Sequence, residues 1–484
     1  MNSEFIPLIV VVPLAAAVLA NLLHGKKRLL KYFTLLFALA MLSLPIITPY
    51  GEHIFGGHIS ERYNIGLATG IEYVFTQHQQ IIIFTLFLIF LMSVLTYTSA
   101  YEHLSGPYLG FMILGISATS AVVMADDFFN LYVFMEIALL SQTALAIANK
   151  SIDSMKASLK YLMVANLAGN CLLIGIALLL SQTGSVNLSD IREYVATAGP
   201  ELYSNPVFLS AAALVLFSWL YGSGLFPFHN IKSELYASAK PHASALMQTQ
   251  TKFVLIALGI IILKLFNGLP AVRPLMLFGA CLAMIFGVIM ALKQDNYQRM
   301  LSYHAISQAG YVAAGIALGT PAAIVAGIFH ALNHVLYKSA LFLGCEVVHG
   351  MNKTSNFKSL GGAIYSIPYI GVLMLGAKFA ISGIPPFNGF QSKLMLMTSA
   401  FDAGFWEVTV VMILVSVLTF ISMMKAFHLA FMRPKQNMVE YKKPHITYTI
   451  ALAILVGLCL LLGLYPSLAT DYITGIAAEI GVGW

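Results

Sequence analysis

Apolar residues run almost unbroken through fourteen windows, at about 5–23, 29–49, 80–98, 108–125, 128–148, 157–181, 207–227, 243–266, 272–292, 300–319, 321–349, 364–402, 405–432 and 447–466. A helix needs roughly 20 predominantly apolar residues to cross a bilayer. The pattern therefore predicts an all-α membrane protein with about 14 transmembrane helices. The window 364–402 is too long for one pass and contains Pro385-Pro386. A proline removes a helix hydrogen bond and crowds the preceding turn, which predicts one broken helix with a half on either side.

A few polar residues interrupt these windows. His330, His334 and Lys338 lie four apart in the eleventh. Each sits about 40° round a helix from the last, on a ladder roughly 12 Å tall. An isolated Lys in mid-bilayer costs on the order of 3 kcal/mol by insertion scales. Three titratable groups on one stripe predict a buried, hydrated face that handles protons. The plainer alternative is polar glue between helices. Glu136 lies in the fifth window, Lys252 in the eighth, and Lys378 and Lys393 on either side of the Pro-Pro break, with His304 in the tenth. Burial opposes the charged forms of such groups and opposite charges nearby favour them, so a chain of them can pass a proton in small free-energy steps. A static salt-bridge ladder would use the same residues. Lys160 and Lys425 are read as helix-end residues that snorkel.

Two stretches repeat. Ser223-Gly-Leu-Phe-Pro-Phe-His229 matches Ser382-Gly-Ile-Pro-Pro-Phe-Asn388, 159 residues on, and Leu140-Ser-Gln142 matches Ile306-Ser-Gln308, 166 on. Similar offsets predict two copies of a five-helix unit, and an odd helix count makes the copies inverted in the membrane. Gly224 and Pro227 would break the seventh helix, and Gly383, Pro385 and Pro386 the twelfth. Freed backbone groups are tolerated only against protein or a wet cavity, so the ion path is expected near both breaks. The expected organisation is 1–107 (helices 1–3), 108–266 (first repeat, helices 4–8), 267–432 (second repeat, helices 9–13) and 433–484 (helix 14 and tail).

Composition agrees: 59% of the 484 residues are hydrophobic and only 10% charged. The net charge of +6 is spread over short loops, which is no nucleic-acid signal. Lys26, Lys27, Arg28, Lys31, Lys150, Lys156, Lys232, Lys240, Lys293, Arg299, Lys353, Lys358, Arg433, Lys435, Lys442 and Lys443 fall in alternate loops, and only Arg62, Arg192, Lys264 and Arg273 on the other side. That bias makes the first set cytoplasmic and puts both termini outside the cell membrane. Cys171, Cys281, Cys345 and Cys459 lack metal-ligand spacing and read as small core residues. The adjacent Asp126 and Asp127 read as solvated at an outside junction. No nucleotide loop, dinucleotide fingerprint or haem or iron–sulfur pattern is present, so neither metal nor cofactor is expected, and no redox chemistry by this chain alone.

These residues resemble the antiporter-like membrane subunits of respiratory complex I, Mrp-type cation/proton antiporters and energy-converting [NiFe] hydrogenases. The resemblance rests on Glu136, Pro227-Phe-His229, Lys252, the His-x3-His-x3-Lys stripe, and Gly383 to Phe390 followed by Lys393. It implies a proton- or sodium-translocating, non-redox subunit, working in the bilayer beside other membrane subunits and a peripheral redox or hydrogenase module. The finer expectation is the hydrogenase branch, of the Ehb type. The implied path runs from the cytoplasm to Lys252, across His330, His334 and Lys338, to Lys393 and out. One departure stands out: the family usually has a Lys five residues before the seventh-helix proline, partnering the fifth-helix Glu, and here that residue is Gly222. His229, Lys232 or a neighbouring subunit would have to serve Glu136. A freestanding antiporter and a structural subunit that has no pumping role are the competing readings.

Overall fold

The computed structural model describes residues 5–49, 54–55, 71–99, 104–434 and 444–476. Arg62, Lys435, Lys442, Lys443 and both chain ends lie outside them. Every predicted window holds a helix or a broken pair. These are α1 (Leu8–Leu22), α2 (Lys27–Ile47), α3 (Gln77–Tyr97), α4 (Gly106–Met124), α5 (Phe128–Ile147) and α6 (Ile152–Thr183). A surface helix α7 (Leu188–Ala198) precedes the broken pair α8 (Pro206–Ser223) and α9 (His229–Ser238). Then come α10 (Pro241–Phe266), α11 (Val272–Leu292), α12 (Tyr297–Leu318) and α13 (Pro321–Asn352). The second broken pair is α14 (Pro368–Ser382) and α15 (Asn388–Asp402), followed by α16 (Trp406–Phe427) and α17 (Ile446–Leu464).

Among the described residues, nine helices are long and apolar enough to cross a membrane by length and composition. α12 and α13 are not among them, because His304, Gln308 and the His–His–Lys stripe dilute their hydropathy. Burial offsets this: α13 is enclosed over all but its last turns and packs against α10, α12, α14, α15 and α17. Leu159, Met163 and Leu167 on α6 are instead exposed, as a lipid-facing or subunit-facing flank requires.

The repeat is visible in the backbone. Asp127, just before α5, bridges Asn187, just after α6; Asn296, just before α12, bridges Asn356, just after α13. The hydrogen bonds match one for one, 169 residues apart: Phe128 N to Val186 O with Leu188 N to Asp126 O, and Tyr297 N to Ser355 O with Phe357 N to Asp295 O. Each bridge is reinforced by an N-cap, Asp127 accepting from Asn130 N and Asn296 from Arg299 N. The first clasp lies at the end of the bundle opposite the basic loops, the second at the basic end, as inverted units require. The matched Ser-Gln pairs act alike too. Ser141 and Ser307 donate to Phe111 O on α4 and Met284 O on α11. Gln142 and Gln308 accept from the next helix, from Tyr161 on α6 and through contact with His330 Nε2 on α13.

The breaks also correspond. α8 ends at Gly224 (φ +67°) and α14 at Gly383 (φ +78°), left-handed positions that glycine adopts without a Cβ clash. Both Phe226–Pro227 and Pro385–Pro386 are cis.

Two expectations need correction. The window 207–227 stopped short of a second half-helix, α9, because its His, Asn, Lys and Glu mask the helical pattern. Lys232, counted as a loop charge, therefore sits on α9 and is 3% exposed. Asp127 is not solvated: it is 1% exposed, its carboxylate held by the backbone N–H groups of Asn130 and Glu72. Between α6 and α8, the surface helix α7 buries its Leu188 and Ile191.

Candidate functional site

The second unit holds the stripe. His330, His334 and Lys338 are fully buried, on the face of α13 that the other helices cover. His330 sits between Ser392 on α15, 3.0 Å from its Nδ1, and Gln308 on α12, 3.2 Å from its Nε2. One turn on, neither ring nitrogen of His334 has a protein hydrogen-bond partner among the described residues, nor has Lys338 Nζ. Asn388, in the break, donates to Asn333 Oδ1 at 2.9 Å, and Asn333 donates back to Asn388 O at 3.2 Å. That reciprocal pair fixes the stripe against the second broken helix. His304 on α12 contacts Ser422 on α16 at 2.8 Å. Lys378, on α14, is buried with its Nζ 4.7 Å from the Tyr297 ring centroid, a cation–π position, and without a hydrogen bond.

Lys393 closes this half. Its ammonium donates to Ile381 O at 2.8 Å, one of the carbonyls at the end of α14, and to Ser416 Oγ on α16 at 3.1 Å. A cation is favoured there, because the last carbonyls of a helix carry partial negative charge.

In the first unit, Lys252 lies in the fully enclosed middle of α10, its Nζ unpaired among the described residues. It interacts electrostatically with Lys232, His330, His334 and Lys338. Glu136 on α5 is half-buried and lines a small cavity of about 50 Å³ with Gln142, Tyr161, Gly169, Gly222, Lys232 and Thr251. Its carboxylate lies against Gly169 on α6, where a Cβ would collide with Oε1.

Lys232, one of the candidates to serve Glu136, is the one that lines its cavity. Its Nζ donates to Thr251 Oγ1 on α10 at 3.0 Å and sits 5.8 Å from the Tyr161 ring centroid. Its Cδ would lie 3.1 Å from a Cβ on Gly224. Lys393 repeats all three relations in the other unit. It bonds the Ser416 hydroxyl on the helix after the break, its Nζ lies 5.4 Å from the Tyr311 ring centroid, and its Cδ would lie 3.0 Å from a Cβ on Gly383. The two lysines occupy matching places, five and seven residues after their prolines.

The structure thus brings Lys232, Lys252, His330, His334, Lys338, His304, Lys378 and Lys393 together as one buried line, linked electrostatically from member to member, with the half-buried Glu136 beside Lys232 in the cavity wall. His229 stands apart, stacked on Phe226 and Phe286 with ring centroids 5.6 and 5.8 Å away. It does not line the Glu136 cavity; Lys232 does. Lys160 pairs with Glu234 near the surface and Lys425 caps Leu292 O, both off the line. Sequence reasoning missed Thr251 and Ser416 as lysine partners, and Gly169 as the space for Glu136. The hydroxyls gave no signal, being ordinary residues in membrane helices. The electrostatic consequence is plain. The line holds five lysines and three histidines against one glutamate, so like charges keep its members from all being protonated at once.

Two inverted units, each with a broken helix, around a buried titratable line define an antiporter-like membrane subunit. Residues 125–422 match the family described as NADH:quinone oxidoreductase/Mrp antiporter, TM, and the chain belongs to that family. It is 44% identical to an uncharacterised protein of Methanocaldococcus jannaschii, over 99% of each chain. It is 30% identical to a Na(+)/H(+) antiporter subunit of Alkalihalophilus pseudofirmus, over 77% of this chain and 72% of that one. Among solved structures, a chain of the membrane-bound sulfane sulfur reductase, an archaeal respiratory membrane complex, superposes with a TM-score of 0.86. The match covers 99% of this chain and 98% of that one, at 23% identity.

Proposed function

We propose that the chain translocates protons as a subunit of a redox-driven membrane complex, drawing its energy from electron transfer in partner subunits. The observation that carries this is the buried line between the two broken helices, in which Lys252, His334 and Lys338 have no protein hydrogen-bond partner among the described residues. A structural polar network would pair its members, since a buried unpaired ammonium costs several kcal/mol. A line that loads and unloads protons does not need fixed pairs.

In this reading the basic loops face the cytoplasm and both termini lie outside the cell membrane, with about fourteen crossings. The repeats span 108–266 and 267–432. A proton reaches Lys252 from the cytoplasmic side, crosses His334, Lys338 and His330, and leaves past Lys393. His304 and Lys378 extend the line in the second unit, and Lys232 supplies the cation that Gly222 does not offer Glu136. The partners are other membrane subunits and a peripheral redox module, of hydrogenase type in the finer reading. The test is Lys252→Ala in the assembled complex, reconstituted in liposomes. Coupled ion translocation is expected to fall at least about tenfold, the scale of losing a positioned proton carrier, while electron transfer persists with an uncoupler. Normal pumping would sink the proposal.

A further inference from the structure

A second cluster of titratable groups lies off the line just described, at the basic end of the bundle. Glu346 belongs to the same stripe of α13 as Lys338, two turns on, roughly 12 Å away by helix rise. Its Oε1 is 2.8 Å from Nδ1 of His242, in the first turn of α10. The other ring nitrogen, Nε2, is 3.0 Å from the Tyr108 hydroxyl on α4. The His242 ring also packs on Tyr97 of α3, centroids 4.9 Å apart. Lys240 completes the group, its Nζ 5.6 and 5.3 Å from the Tyr97 and Tyr108 ring centroids. Burial lowers the pKa of Lys240, which precedes α10; Glu346 opposes the shift and Lys150 adds to it. Tyr448 on α17 and His349, one turn along α13, both lie within electrostatic reach of Glu346. The Glu346 side chain is 19% exposed and that of His242 2%, so Glu346 is the outer member; its Oε2 is buried and has no hydrogen-bond partner among the described residues, which leaves one carboxylate oxygen open to take a proton.

Phe342 separates this cluster from the line. It lies between Lys338 and Glu346 on the stripe, with Lys338 Nζ 5.7 Å from its ring centroid. Beside it, Gln248 on α10 reaches Ser339 Oγ at 3.4 Å, next in sequence to Lys338. An acid–base pair whose outer member keeps an unpartnered carboxylate oxygen among the described residues and whose inner member is buried, stacked above the line behind one aromatic ring, has the arrangement of an entry site.

We infer that Glu346 and His242 form the site where protons enter from the basic side, with Phe342 closing the way to Lys338. A proton comes from an acid in the aqueous phase, whose conjugate base stays there. Glu346 takes it first, His242 relays it, and the Tyr108 hydroxyl serves Nε2 in either protonation state. The inference rests on the proton-translocating reading above.

The rival role is a clamp joining α4, α10 and α13. Glu346→Gln separates the two, because glutamine still accepts from His242 Nδ1 but does not titrate. The complex is reconstituted and proton uptake from the basic side is measured against pH, alongside uncoupled electron transfer. Glu346→Gln and His242→Asn are each expected to slow uptake roughly tenfold, with electron transfer retained, and Glu346→Asp to restore part of it. Unchanged rate and pH profile in Glu346→Gln overturn the entry site and leave the clamp. Should Glu346→Gln not assemble, the same readout on His242→Asn decides. Lys252→Ala is run in parallel: if it pumps normally the translocating role itself fails, whereas its loss beside normal Glu346→Gln removes only the entry site.

Discussion

The two five-helix units share a scaffold and differ in what it carries. Both have a backbone clasp, a Ser-Gln pair tying three helices, and a lysine folded back over the glycine of the break onto a hydroxyl. In the second unit α13 presents His330, His334 and Lys338. The residues 169 positions earlier on α6 are Tyr161, Ala165 and Gly169. The acid comes instead from α5, and Glu136 fills the space that Gly169 leaves. One scaffold thus holds a line of bases and the other a single carboxylate in a cavity. Symmetry of the frame does not require symmetry of the charge.

The largest test of that comparison replaces its shared element. If Lys232 and Lys393 do equivalent work, Lys232→Met and Lys393→Met should each cut coupled translocation at least about tenfold while uncoupled electron transfer remains. A normal rate in Lys232→Met would show that the matching contacts serve packing only. Gly169→Ala probes the difference between the units. The added methyl pushes the Glu136 carboxylate aside at a stability cost of about 1 kcal/mol, and translocation should drop severalfold in the same liposome assay. An unaltered rate would detach Glu136 from the path. The smallest effect concerns the clasps. Burial raises the Asp127 carboxyl above its usual range, against the hydrogen bonds from Asn130 and Glu72. The folded state then holds that proton more tightly than the unfolded one. Its contribution is full below the unfolded pKa and is lost as pH rises through the folded value. Asp127→Asn keeps the cap and should remove this pH dependence from the difference in Tm between variant and parent. Asn296 fills the matching place without a titrating group, so Asn296→Asp should introduce a pH dependence where none existed.

Much of this was legible in the sequence, for identifiable reasons. A membrane helix needs a long apolar run, so the windows located the helices, and Gly-Pro pairs located both breaks. Lys252, Lys338 and Lys393 were visible because an apolar run makes a charge conspicuous. Lys232 was only half legible, counted as a loop charge yet also named as a candidate for Glu136, for the converse reason. It lies among His229, Asn230, Ser233 and Glu234, where a charge looks like part of a loop, and only the fold shows that α9 turns it inward. Gln308 surfaced through the repeat, whereas its contact with His330 depended on the packing of α12 on α13. The entry cluster was hidden because His242 and Glu346 are 104 residues apart and each looks like an ordinary helix-end residue.

The clasps have a mechanical consequence. Each unit carries its backbone clasp at one face of the membrane, the first at the face opposite the basic loops and the second at the basic face. A pivot lies where a body is fastened, and displacement grows with distance from it. A tilt of the first unit about its clasp would spread its helices at the basic face, and a tilt of the second would spread them at the opposite face. Two copies of one hinge, mounted upside down relative to each other, give doors that swing on opposite sides of the same wall.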